Sequence, residues 1–128
     1  MLEAAKKFQK EKTITNVSFE KQNTDKTTYP KSTFDVIYSR RGPTPFSEFH
    51  RLLKQNGYFI GINIGEKDCQ EIKKIFGRGQ GFGDWNNSRL KKDKQKLKNK
   101  KFNIIFAQDY FYDEYFKTYD DLDLFLQG

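Results

Sequence analysis

The stretch FDVIYSRRGPTPFSEFHRLLKQNGYFIGINIG, Phe34 to Gly65, constrains this chain more than any other because it reads as strand, loop, helix, strand. Phe34 to Ser39 is a short apolar run rich in β-formers. Tyr58 to Ile64 is nearly continuous in apolar character, as expected of a strand covered on both faces. Two parallel neighbours need a crossover helix, and the intervening residues supply one. Thr44 is the expected N-cap, Pro45 the first helical residue, Phe46, Phe49, Leu52 and Leu53 share one face, and Asn56-Gly57 ends the helix. The loop Arg40-Arg41-Gly42-Pro43 then leaves the carboxyl end of a parallel strand, where open α/β sheets bind ligands.

A chain of 128 residues is at most one domain. Its hydrophobic fraction of 35% is low beside 32% charged residues, and the aromatic fraction of 16% partly compensates because Phe and Tyr each bury a large area. A single Cys69 excludes an internal disulfide and fits a reducing compartment. No apolar run reaches the length of a membrane span, and Glu3, Lys6 and Lys7 stand where a signal peptide would be apolar, so cytoplasm is the expected compartment and no membrane partner is expected. The net charge of +7 is largely local, since residues 91 to 101, KKDKQKLKNKK, hold seven lysines. The run reads as a solvated helix face or linker. Its alternative is a phosphate-contacting patch, which without interleaved aromatics would grip a nucleic-acid backbone but not read bases.

Before the central unit, residues 1 to 11 are helical in pattern, with Leu2, Ala5 and Phe8 on one stripe. Residues 16 to 21 alternate as a short strand through Val17 and Phe19, and residues 23 to 32 form a polar loop. After it, Asp68 is the expected N-cap of a helix with Glu71 three residues on and a buried stripe of Cys69, Ile72, Ile75 and Phe76. That burial makes Cys69 a core residue rather than a nucleophile. The run from Gly77 to Gly83 mimics a cofactor loop in letters. Such glycines must follow a strand and open a helix; these follow a helix, with Gly77 as a left-handed cap, so the segment reads as a connection. Trp85 either faces a substrate as a lid aromatic or staples the next helix to the core. Residues 102 to 108, FNIIFAQ, read as a buried strand. The aromatics of residues 110 to 116 either form a substrate pocket or pack over an edge. Thr118 is the N-cap of a last helix with Leu122, Phe125 and Leu126 as its stripe.

FDVIYSRRGP followed by FSEFHRLLKQNGYFIGINIGE resembles the fourth strand, following helix and fifth strand of class I S-adenosylmethionine-dependent methyltransferases. MLEAAKK resembles the family's second helix, NVSFEKQNT its third strand with the adenine-contacting loop, and TTYPKSTFD the approach to the fourth strand. IFGRGQ and YFYDEYFKTYDDLDLFLQG resemble one group of bacterial methyltransferases. The family's glycine-rich loop and the acidic residue ending its second strand have no counterpart here. The resemblance therefore implies a single incomplete domain over residues 1 to 128, a middle portion lacking that loop and the last strand. The implied fold is a partial Rossmann-like methyltransferase, α/β with a mostly parallel sheet and flanking helices, transferring a methyl group from S-adenosylmethionine to an unidentified acceptor with weak or no activity alone. The alternatives are an inactive remnant of the same ancestry or a small basic nucleic-acid-binding α/β module using Lys91 to Lys101.

By the same resemblance, Asn23 and Thr24 lie near the adenine, Ser39 and Arg40 near cofactor and acceptor, and Arg41, Gly42 and Pro43 in the substrate loop. Asn23 stands where the family has a carboxylate; its amide oxygen can accept the same hydrogen bond, or it is simply a turn residue. Without counterparts of the first, second and last strands, only the fourth and fifth keep a partner. The remaining segments should re-pair, fray or drive self-association through unpaired edges, and cofactor binding should be weak. The catalytic inventory is otherwise thin. His50 reads as a bystander on the crossover helix, and one His with one Cys cannot supply a zinc site. Methyl transfer needs neither, because the sulfonium cofactor is itself the electrophile.

Overall fold

The computed structural model describes residues 2–127, so the expected helical start at Met1 lies outside the described residues. The elements run α1 (Leu2–Glu11), β1 (Phe34–Arg40), α2 (Phe46–Leu52), β2 (Leu53–Ile62), α3 (Gln70–Phe76), α4 (Arg89–Asn99) and α5 (Tyr119–Gln127). β1 and β2 pair in parallel, with Val36 opposite Tyr58, Tyr38 opposite Ile60 and Arg40 opposite Ile62. The result is a small α/β fold, a two-stranded parallel sheet flanked by helices.

The crossover helix is shorter than its sequence predicts at both ends. Thr44 does not cap it. Pro45 occupies the N-cap without a side-chain bond, and the Phe46 N–H donates to the Thr44 carbonyl at 2.8 Å. At the other end Leu53 is already extended, at ψ 138°, although Asn56-Gly57 was the expected stop. The incoming strand supplies the reason. Ser32 and Thr33 donate their N–H groups to the carbonyls of Arg51 and Leu52 at 2.9 and 2.8 Å, satisfying the last turn from outside the helix. The register then jumps between Phe34–Leu53 and Val36–Tyr58, so β2 loops outward over the intervening residues, with Asn56 left-handed at φ 64°.

Side chains alternate across the sheet, and the two faces differ. Phe59 points to the inner face and meets Phe46, Phe49 and Phe102 at ring-centroid distances of 5.7, 5.1 and 6.2 Å. With Phe46, Leu52 and Leu53 this forms the core. Val36, Tyr38, Tyr58, Ile60 and Ile62 share the outer face, each 48–56% exposed. The accessible surface is 11148 Å², against about 7,100 Å² for a compact monomer of this mass.

Residues 16 to 21 and 102 to 108, expected as strands, carry none. A strand needs a neighbouring edge, and neither segment reaches one. The third helix departs likewise. Cys69, not Asp68, is its N-cap, left-handed at φ 48°, while Asp68 pairs with Lys73 at 3.5 Å. Its expected buried stripe is only half covered: Cys69 and Ile72 are half-buried, whereas Ile75 and Phe76 are 80% and 56% exposed. Gly77 is the left-handed C-cap at φ 63°, and Gly79, Gly81 and Gly83 continue with positive φ. Thr118 Oγ1 accepts the Asp121 N–H at 3.1 Å and caps α5 as expected.

Gly57 sits where the returning chain is tightest. A Cβ there would lie 3.0 Å from the carbonyl oxygens of both Asp35 and Lys54. Gly57→Ala is expected to destabilise the fold by roughly 1–3 kcal/mol, read as a fall in thermal midpoint by circular dichroism. Ile105→Ala, at a side chain 75% exposed, should leave that midpoint unchanged.

Candidate functional site

The carboxyl end of β1 closes into a short loop. Arg41 donates its N–H to the Ile62 carbonyl at 2.8 Å, which extends the ladder by one bond, and it does so left-handed, at φ 55°. Such a conformation is costly for a side chain as long as arginine's and is held by its surroundings. Ser39 Oγ donates to the Pro43 carbonyl at 3.4 Å and ties the loop across its base. Ser39 and Gly42 are half-buried, whereas Arg40, Arg41 and Pro43 are exposed.

The other predicted contacts lie in the loop before β1. Asn23 Oδ1 accepts the Asp25 N–H at 3.0 Å, and the Asn23 carbonyl accepts from Lys26 at 3.2 Å, the pattern of an Asx turn. Asn23 and Thr24 are exposed, and among the described residues no hydrogen bond joins them to Ser39 or Arg40. The structure thus presents the candidate residues as two separate groups.

Glu48 on α2 fixes the course of that loop and was not among the predicted site residues. It is 7% exposed and accepts both the N–H and the hydroxyl of Thr27, at 2.9 and 2.8 Å. Arg51 donates to it from Nε at 2.8 Å and Nη2 at 2.6 Å, and reaches the Tyr29 carbonyl from Nη1 at 2.9 Å. The signal lay in their spacing, since an acid and an arginine three apart share a helix face. The Arg51 guanidinium, and then the Thr27 N–H, hold the Glu48 carboxyl down from the ordinary 4.5 to about 2. A hollow of about 430 Å³ opens beside this network, lined by Asp25, Thr44, Phe46, Glu48, Lys96 and Lys100 among others. A second, of about 240 Å³, runs along β1 past Tyr29, Phe34 and Phe49. None of Asn23, Thr24, Ser39 and Arg40 lines either hollow.

The remaining candidates have plainer places. Burial, followed by the nearby Asp68, pushes the Cys69 thiol up, away from nucleophilic character. His50 is exposed and meets the Phe102 ring edge-on at 5.4 Å. Trp85 packs on Phe82 at 5.4 Å and under the Lys74 ammonium at 5.2 Å, so it staples the glycine-rich segment to α3. Tyr110, Phe111, Tyr112 and Tyr115 are 71–86% exposed and line neither hollow, whereas Phe116, half-buried, packs on Phe125 at a ring-centroid distance of 5.0 Å. The five lysines within α4 spread around its axis at about 100° per residue instead of forming one stripe. Among the described residues no helix is long and apolar enough to cross a membrane.

Comparison with protein-family models, curated proteins and solved structures gives no match to this chain.

Because Glu48 binds a proton more weakly folded than unfolded, its contribution to stability is complete above pH 4.5 and is lost as pH falls toward 2. Thermal midpoints measured across that interval should decline with acidification. Glu48→Gln should lower the midpoint at neutral pH and flatten its decline relative to the parent chain.

Proposed function

We propose that this chain serves S-adenosylmethionine-dependent methyl transfer, its β1–α2–β2 unit being the adjacent fourth and fifth strands of a Rossmann-like methyltransferase sheet. The observation that carries the reading is the parallel pairing of these strands across a crossover helix, with the Ser39–Pro43 loop leaving the carboxyl end of β1. The resemblance of residues 34 to 66 to that segment of the family supports the same assignment. The bound cofactor would supply an electrophilic methyl group on sulfur, which leaves the protein to align an acceptor and exclude water.

The side chains fit that task in their chemistry. Asn23 Oδ1 keeps a lone pair beyond its turn bond and can accept from the adenine amino group, with the Thr24 hydroxyl beside it. At the carboxyl end of β1 Ser39 offers a hydroxyl and Arg40 a guanidinium on opposite faces of the sheet, and Arg41, Gly42 and Pro43 form the acceptor loop. Binding is weak in this reading, since nothing in the sequence replaces the family's glycine-rich loop and ribose-binding carboxylate. The acceptor is a small molecule or another methylatable group.

A two-dimensional amide spectrum of the full chain, with and without S-adenosylmethionine, tests the assignment. Shifts confined to residues around Asn23, Thr24, Ser39 and Arg40 are expected, and Arg40→Ala should reduce them. A spectrum indifferent to the cofactor, with α4 amides moving on addition of a short oligonucleotide, would replace this reading with phosphate-backbone binding by the lysine run.

A further inference from the structure

The outer face of the sheet and helix α5 match in length, apolarity and charge, and we propose that α5 of a second copy of this chain docks on that face, reciprocally, in a dimer. The floor is the apolar set Val36, Tyr38, Tyr58, Ile60 and Ile62, all on one side of the paired strands. Parallel strands are ordinarily covered on both faces, and α2 covers only the inner one. From Val36 to Arg40 the floor is about 13 Å long at the rise of a parallel strand. The nine residues of α5 span about the same length.

Leu122, Phe125 and Leu126 form one stripe of α5; no residue of that helix is buried in its own chain, where the Phe125 ring rests on Phe116 at a centroid distance of 5.0 Å and stays 40% exposed. Charge sets the occupant. Residues 109 to 127 hold six acidic side chains against the one Lys117, while residues 1 to 108 carry the chain's entire positive excess. Arg40 projects from the floor itself, opposite Ile62, with Arg41 next to it. Asp121 and Asp123 flank the α5 stripe on either side and can meet these guanidiniums at the rim, where ion pairs set orientation more than strength.

Exchange between copies fits the contacts within one. Among the described residues β1 with β2 and α2 with β2 are the element pairs most closely packed, and α5 is not one of them. Reciprocal docking buries two floor-and-helix contacts in one association and closes on itself, as isologous interfaces do.

The proposal does not rest on the methyl-transfer reading, although both involve Arg40, and it is tested by sedimentation equilibrium of the full chain with Ile60→Asp and Phe125→Asp. Both side chains are surface-exposed in one copy, at 48% and 40%, and lie on separate elements, so the two substitutions check each other. The expected result is a dimer that dissociates on dilution, with each substitution raising its Kd about tenfold or more while far-UV circular dichroism is unchanged. In a mixture of isotope-labelled and unlabelled chains, filtered NOEs should join the Phe125 ring to the Ile60 methyls of the other copy. A monomer at all concentrations, a dimer that ignores both substitutions, or NOEs confined to one chain would overturn the proposal.

Discussion

The contact on which this structure depends is the seat of Phe59 among Phe46, Phe49 and Phe102. A parallel pair cannot be held by a tight hairpin, so its strands stay together only if the crossover packs back on them. Phe46 and Phe49 are three apart and therefore fall on one side of the helix that makes the crossover. Phe59 answers them from β2, and Phe102 closes the cluster from a segment that is not itself a strand. That cluster gives the chain an inside, and everything beyond its reach remains open.

Glu48 and Arg51 extend this order to the chain before β1. Burying a carboxylate is costly unless its oxygens are occupied, and here Thr27 and Arg51 occupy them. A network so filled fixes a loop more narrowly than apolar contact does, because hydrogen bonds impose direction as well as proximity. The loop it holds contains Asn23 and Thr24. The position of Asn23 and Thr24 thus follows from a helix residue on the other side of the strand.

The parallel βαβ unit is legible in the sequence because each part of it is encoded locally: apolar runs for strands, a Pro-initiated amphipathic stretch between them, and lengths that allow nothing else. Gly77 and Thr118 are legible for the same reason, as a left-handed residue and a hydroxyl cap act within one turn. Thr44 and Asp68 carry equally good local signals and fail. The Thr44 carbonyl already accepts from Phe46 within the turn, and the Asp68 carboxylate is drawn to Lys73. The two missing strands fail differently. Val17 and Phe19, or Ile104 and Phe106, can alternate as strand residues only beside an edge, and an edge is a property of the whole fold. Glu48 is hidden by averaging, since a charged residue on a helix reads as solvent-facing until its partners are known.

The open surface goes with an uneven charge. Apolar side chains such as Ile75, Phe76, Phe106 and Phe125 stay exposed, so the helices beyond α2 are not drawn onto the sheet, and charge is what distinguishes them. The charges are segregated, with lysines around α4 and aspartates along α5. Opposite charges held on separate elements of one chain are satisfied as well between copies as within one, and distance alone decides which. The same outer face that a methyltransferase sheet keeps covered is the face that an acidic, apolar-striped helix fits. Whatever covers it also shields the carboxyl end of β1 from water, because Arg40 belongs to the floor and the Ser39–Pro43 loop begins at its rim.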